Sequence, residues 1–296
     1  MNESALLKKI LPFFHAADNI PGGPGDDCAL LKFGNKYLLA AADQVISNVH
    51  YLADTTPELI AAKLLKRNLS DIAAMGGVPL WALTTLAVKG RSDEWLERFF
   101  TGLEQCAEKY NVAIAGGDLA GLPAELDCAS LTILGEVTME QVCLRKNAQP
   151  GDYIMITGYL GDTFASGHHL HFEPRLAEGR FLAENNFSCC MMDISDGIAA
   201  DLPKLLEQSG KGAVVELDKL PCRNNCSYKN ALSDGEDYEL LFTVAGDKLP
   251  RLKKAWQFAA PLTCIGRITE STDLIYTLNG TAVEKMELNG YEHFNS

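Results

Sequence analysis

The chain has 296 residues, long enough for two domains of ordinary size. Its 47% hydrophobic and 22% charged residues are globular proportions and exclude a disordered, collagen-like or coiled-coil chain. With 26 Lys and Arg against 39 Asp and Glu, the net charge is −13, which argues against nucleic acid as a partner, and no run of basic residues offsets it. The longest apolar stretch, residues 78–88, is too short for a membrane span of roughly 20 residues, so no membrane association is expected. Residues 1–14 carry Glu3, Lys8 and Lys9 and do not read as a secretion signal. The nine cysteines form no paired CxxC motif, and neither Cys189-Cys190 nor Cys222-x-x-x-Cys226 has zinc spacing. They read as the reduced thiols of a cytoplasmic protein.

Strands and helices alternate along the chain. Residues 36–42 read as a buried strand ending at Asp43. In the helix that follows, Thr55 and Glu58 have capping-box spacing and Pro57 falls in the first turn. Ala61, Leu65, Leu69, Ile72 and Ala73 recur at helical intervals before Gly76-Gly77 stops it. Residues 80–88 form the next strand. Ser92 caps a second helix, with Asp93 and Glu94 in its first turn and Leu96, Phe99, Phe100, Leu103 and Ala107 on its apolar face. A short strand at 112–115 runs into Gly116-Gly117-Asp118, and another spans 131–137. The polar, Pro- and Gly-containing segment 148–152 marks a boundary, giving domains 1–148 and 149–296. The second half offers a strand at 153–157, the segment Met192-Asp193-Ile194-Ser195-Asp196-Gly197, a helix ending at Ser209 before Gly210, and a strand at 238–244. Pro203 requires that helix to start near Asp201 or to bend. The expected class is α/β (α+β) in two domains.

The familiar nucleotide and hydrolase signatures are absent: no GxxxxGK[ST], no G-x-G-x-x-G after a strand, no G-x-S-x-G and no HExxH. Aspartates recur instead where strands meet loops or helices: Asp26-Asp27 after a Gly-Pro-Gly turn, Asp43, Asp71, Asp118, Asp193 and Asp196. Carboxylates converging in one cleft repel each other unless cations neutralise them. Oxygen-only donors suit a hard ion, Mg²⁺ above all, which also takes phosphate oxygens. Each aspartate alone also fits a cap or a turn. Asp71 fits either an exposed pair with Arg67 four residues earlier or burial near a site. His168, His169 and His171 read as a polar helix face, and His50 as either a packed core histidine or a ligand contact. Glu236-Asp237, before a strand, reads as a solvated turn.

In order along the chain stand GPGDDCAL (23–30), D-x-V-x-x-x-V-H-Y (43–51), NLSDIAAMGG (68–77), AGGD (115–118), AQPGD-Y-x-x-x-TG (148–158), MDISDG (192–197), GEDYELLFT (235–243) and GYEHF (290–294). Together they resemble the thiamine-monophosphate kinase family, within the superfamily of aminoimidazole ribonucleotide synthetase, over nearly the whole chain. The resemblance implies ATP-dependent phosphorylation of thiamine monophosphate to thiamine diphosphate by direct, Mg²⁺-assisted transfer. It implies Mg²⁺ ligands at Asp27, Asp43, Asp71, Asp118, Asp193 and Asp196, and nucleotide contacts at Gly117, Asp118, Arg145 and Ser195. His50, Glu236 and Tyr291 match positions facing the thiamine moiety; Tyr291 is equally readable as an anchor for the tail. The implied fold is an N-terminal α/β domain that dimerises through a mixed sheet, followed by a C-terminal α/β sandwich, with the site between them. No residue needs to become covalently modified, because phosphoryl transfer asks for positioning and charge neutralisation.

The chain departs from the family pattern at several points. Ala41-Ala42-Asp43-Gln44 lacks the usual hydroxyl residues, Leu119 follows Gly-Gly-Asp, and Ser233-Asp234 stand before Gly235-Glu236-Asp237. Arg67 occupies the place of an apolar residue before Asn68-Leu69-Ser70-Asp71. These changes bear on the number of metal ions, and they leave open a non-catalytic or altered-substrate nucleotide-binding homologue. Two sister enzymes fit less well. Selenophosphate synthetase has a reactive Cys near the N-terminus, whereas the first here is Cys28; the hydrogenase-maturation member ends in a reactive Cys, whereas this chain ends His293-Phe294-Asn295-Ser296.

Overall fold

The computed structural model describes residues 24–123 and 126–283 and a few isolated positions before residue 24. In the first half, β1 (Ala29–Phe33), β2 (Lys36–Ile46), β3 (Val78–Val88), β4 (Ala113–Gly121) and β5 (Cys128–Thr138) form a mixed sheet in the order β1-β2-β5-β3-β4. Only β3 and β4 pair in parallel. Two helices, α1 (Pro57–Ala74) and α2 (Asp93–Lys109), pack with this sheet. Leu39, Ala41 and Val45 of β2 alternate onto the core face with Leu131 and Ile133 of β5. β2 outlasts its apolar run because β5 pairs with every residue from Lys36 to Ile46, so Asp43 lies inside the strand. Likewise Gly116-Gly117-Asp118 belong to β4, an edge strand whose nine residues are all exposed. The sheet's other face leaves Trp81 and Leu83 uncovered.

Helix starts follow the sequence in one case and not the other. Ser92 accepts the Trp95 N–H at 3.2 Å, as its cap position predicts. At α1 the cap residue is Thr56, whose side chain makes no capping bond. Glu58 bonds Arg98 of α2 at 2.6 and 3.0 Å instead of closing a capping box.

The second half holds β6 (Tyr153–Thr157), β7 (Met191–Asp193), β8 (Gly212–Glu216), β9 (Leu240–Val244), β10 (Leu262–Thr269), β11 (Leu274–Leu278) and β12 (Thr281–Ala282). They form a sheet in the order β12-β11-β8-β10-β6-β9-β7. Its helices are α3 (His168–His171), α4 (Leu176–Glu184), α5 (Ile198–Ser209), α6 (Tyr228–Ser233) and α7 (Leu249–Ala255). α5 begins at Ile198, before the expected Asp201, and carries Pro203 inside it; Gly210, at φ 65°, ends it in the left-handed region.

α1 is buried round most of its circumference, because the N-terminal sheet lies on one side and α3, α4 and β7 on the other. Burial forces its polar side chains to find partners. Lys66 donates to the Leu170 and Phe172 carbonyls at 2.8 and 2.9 Å. Asn68 accepts the Asp43 N–H at 3.1 Å, and Ser70 donates to Asp193 Oδ2 at 2.5 Å. Gly179 of α4 sits so close that a Cβ there would lie 2.2 Å from the Ala73 carbonyl oxygen.

Candidate active site

Three segments from the two halves meet at one point. The turn before β1 supplies Asp27, α1 supplies Asp71, and the end of β7 supplies Asp193. Each presents a carboxylate oxygen within 4.8 Å of the others. Burial first, then Asp43, Asp193 and Asp27, pushes the Asp71 carboxyl well above the usual carboxylate range. Burial and Asp27 do the same to Asp193, against the Ser70 hydrogen bond. Arg145, on the 3-10 turn Arg145–Asn147, reaches Asp27 Oδ1 at 2.6 Å, while its own N–H donates to Asp26 at 2.8 Å. Three converging carboxylates with one guanidinium leave an excess of negative charge, and an all-oxygen donor set of this kind fits a hard divalent cation.

Asp43 stands beside this triad, on the sheet face that α1 covers, with Arg67 Nη2 at 3.5 Å from its Oδ1. The Asp71–Arg67 surface pair does not form: the guanidinium goes to Asp43. Asp196 stands apart, bonded by Lys204 at 2.7 Å. Lys204 also reaches Asp201, whose other oxygen accepts the N–H groups of Ser195 and Asp196. Burial raises the fully enclosed Asp201 to about 6, against the pull of Lys204.

Next to these acids opens a cavity of about 400 Å³, walled by His50 and Arg67 from the first half and by Phe164, Ser195, Asp196 and Glu236 from the second. Glu236 is not on a solvated turn. Its carboxylate pairs with Lys63 at 2.7 Å, its N–H donates to the Ser195 carbonyl at 2.7 Å, and its backbone is left-handed at φ 65°. A non-glycine residue held there costs about 1–3 kcal/mol and marks a place where the surrounding structure dictates conformation. Asp237 is likewise enclosed, with Arg223 3.4 Å away. Lys63, fully buried, also donates to the His50 carbonyl at 2.5 Å and meets His169 Nδ1 at 3.0 Å. Burial lowers its pKa to about 8 against the opposing charge of Glu236. His50 is 5% exposed, and its Nδ1 accepts the Ile46 N–H at 3.0 Å, so the ring is both packed and on the cavity wall.

The histidine cluster is not a solvated face. His169 is buried and stacks on Phe164 at 4.0 Å and 8°, and His168 contacts the Asp237 carbonyl. Burial lowers both to about 4; only His171 of the three is exposed.

Gly117 and Asp118 lie elsewhere within the chain. Asp43, Leu131, Thr84 and Gly117 are successive partners across β2, β5, β3 and β4. Gly117 therefore shares the covered face with Asp43, and Asp118 projects from the opposite, exposed face. Three strand spacings of about 4.8 Å put it roughly 14 Å away. Tyr291 lies outside the described residues.

Lys63 and Phe164 escaped the sequence reading, and Arg67 and Asp201 entered it without a role in the site. A signal existed for Lys63 and Arg67: with Asp71 they are four residues apart and fall on one stripe of α1. Arg67 also carries an unusual feature. Its Nε and Nη1 are enclosed by protein without a hydrogen-bond partner. Such buried donors cost about 1–3 kcal/mol each.

Two mixed sheets sharing an acid-lined cleft define a class of protein. Residues 25–137 match the family model of the AIR synthase related protein, N-terminal domain, and residues 149–279 that of its C-terminal domain. The thiamine-monophosphate kinase of Escherichia coli (strain K12) is 34% identical over 303 residues, covering 92% of this chain and 91% of that protein. The structure of AaThiL complexed with AMPPCP and TMP superposes with a TM-score of 0.84 at 28% identity, covering 99% of this chain and 97% of that one. The thiamine-monophosphate kinase from Stenotrophomonas maltophilia K279a gives a TM-score of 0.74 at 32% identity, covering 95% and 98%. The chain belongs to the thiamine-monophosphate kinase family. No helix of the described residues is long and apolar enough to cross a membrane.

Proposed function

We propose that the protein transfers the γ-phosphoryl group of ATP to the phosphate of thiamine monophosphate, giving thiamine diphosphate and ADP. The observation that carries this reading is the Asp27–Asp71–Asp193 triad opening beside a cavity that both halves wall. One P–O bond forms at an acceptor phosphate oxygen, and the P–O bond to the ADP leaving group breaks. A phosphate monoester has its second pKa near 6, so at neutral pH the attacking oxygen carries no proton and needs no general base. The site agrees: His50 Nδ1 is committed to Ile46, and His169 stays neutral.

Mg²⁺, held by Asp27, Asp71 and Asp193 with Asp43 beside them and Asp196 on the cavity wall, would neutralise the phosphate oxygens and the charge that spreads in the transition state. Arg145 orients Asp27 within that set, and Ser70 orients Asp193. Arg145 and Ser195 serve the nucleotide. His50, Glu236 and Tyr291 serve the thiamine cation, for which a carboxylate and aromatic faces are the fitting chemistry. The domains divide at 1–148 and 149–296.

A homodimer formed through the exposed face of the N-terminal sheet belongs to the same reading. Trp81 and Leu83 make that face apolar, and Asp118, which shares that face, would be offered across it. Nine cysteines, all free, suit a reducing cytoplasm. The test is thiamine diphosphate formation from ATP and thiamine monophosphate with and without Mg²⁺. Product that requires both substrates and the ion supports the reading; nucleotide binding without product would favour the non-catalytic homologue.

A further inference from the structure

We propose that Arg67 is the residue that receives the phosphate of the acceptor, a phosphomonoester dianion bound by a guanidinium held between Asp43 and Glu236. The inference rests on the kinase reading and assigns the acceptor's anionic end to a residue of this chain rather than to metal ions alone.

Arg67 is the one Lys or Arg that lines the cavity among the described residues. The rest of the wall is acidic or neutral, with Asp162, Asp196, Asp234 and Glu236 facing the same space. Lys63 is sealed behind Glu236, and Lys66 is consumed by two backbone carbonyls. Among the lining side chains Arg67 alone offers a dianion a fixed positive charge. The side chain is nine-tenths buried, and its one hydrogen bond is the long 3.5 Å contact with Asp43. Glu236 Oε1 stands 3.9 Å from Nη1, too far for a hydrogen bond. Nε and Nη1 have no hydrogen-bond partner. A buried guanidinium with most of its donors unused is a site awaiting acceptor oxygens, and guanidinium is the side chain whose fork and weak hydration suit phosphate.

Position selects which phosphate. Arg67 sits between the Glu236–His50 end of the cavity and Asp43, beside the acid triad. An acceptor whose cationic ring lies against Glu236 brings its own phosphate to that midpoint. Its affinity then depends on Arg67 and does not require a divalent ion.

The experiment is calorimetry in EDTA, with thiamine monophosphate and thiamine as paired probes that differ only by the phosphate. The wild type is expected to prefer the phosphorylated ligand by at least about tenfold, and Arg67→Met to erase that preference while thiamine affinity changes less than about twofold. Arg67→Lys restores the charge without the fork and should recover part of the preference, which guards against a Met variant that fails to fold. A preference that survives in either variant at its wild-type value overturns the assignment. So does an equal loss of both ligands in a folded Arg67→Lys protein, the signature of a guanidinium that merely props Glu236. A wild type that binds neither probe in EDTA, or one whose preference does not depend on Arg67, overturns this assignment; the kinase reading stands or falls separately, on thiamine diphosphate formation with Mg²⁺.

Discussion

Asp71 carries two readings that a single substitution separates. In the triad it suffers burial and three neighbouring acids, so Asp71→Asn removes repulsion and keeps the shape. Turnover is expected to fall at least about a hundredfold, since a lost metal ligand forfeits several kcal/mol of transition-state stabilisation. The melting temperature without ligands should hold level or rise, the behaviour of a strained functional residue. Near-normal turnover in thiamine diphosphate formation would remove Asp71 from the metal site.

The same acids give the metal-free protein a pH dependence. Asp71 and Asp193 are raised, and Asp201 is raised to about 6, all above the unfolded value of 3.8. The folded state therefore keeps protons that the unfolded state has lost, and stability grows as pH falls through the folded pKa values toward 3.8. Lys63 and Lys66, lowered to about 8, change stability only above that pH. His168 and His169, lowered to about 4, work in the opposite direction once pH drops below their unfolded 6.5. In EDTA the acids should raise the melting temperature as pH is lowered toward about 6, with His168 and His169 opposing below 6.5, and Asp71→Asn should flatten the rise; a slope unchanged in that variant would mean that Asp71 is not strained.

Among the helices, α1 ties the site together: Lys63, Arg67, Ser70 and Asp71 leave it toward partners in both halves. Its position depends on how closely α4 can approach. At Gly179 a Cβ would lie 2.2 Å from the Ala73 carbonyl oxygen, backbone that cannot swing aside like a side chain. Gly179→Ala should push the two helices apart and cost about 1–3 kcal/mol in urea unfolding, with weakened substrate binding as the stripe of α1 shifts. Wild-type stability in this variant would show that the contact relaxes freely. Ser92 and Gly210 mark helix ends legibly, because a cap is a local hydrogen bond and a left-handed residue is a local preference. The capping box at Thr55 and Glu58 was equally legible and did not form. Arg98, 40 residues away, offers Glu58 a charged partner that a lone backbone N–H does not match.

For the assembled molecule, the exposed apolar face of β3 and β4 is the feature one chain leaves unresolved. Trp81 is 46% exposed and Leu83 45%, side by side with the strand that carries Asp118. If that face joins two copies, Trp81→Glu should convert a dimer to a monomer in light scattering and reduce turnover with the fold intact by circular dichroism. A wild-type mass of one chain at micromolar concentration would remove the dimer and its supply of Asp118.

The aspartates at Asp27, Asp71 and Asp193 were visible as chemistry because residue type and turn position are local properties, and their order along the chain carried the family resemblance. Element types were visible for the same reason, since periodicity and punctuation act within one turn or one strand. Which acids meet was not visible. Asp27, Asp71 and Asp193 are brought within 4.8 Å by packing between halves, whereas Asp118, from an equally suggestive Gly-Gly-Asp, projects from the far face of the sheet because its register on β3 sets its side. Glu236 and His169 looked solvated in sequence and are held inside by Lys63, more than 100 residues distant in chain and 2.7 and 3.0 Å in space. Burial, and with it the charge each group can bear, is a property of the whole packed chain: a carboxylate's solvation depends on what lies across from it, and neighbours along the sequence do not specify that.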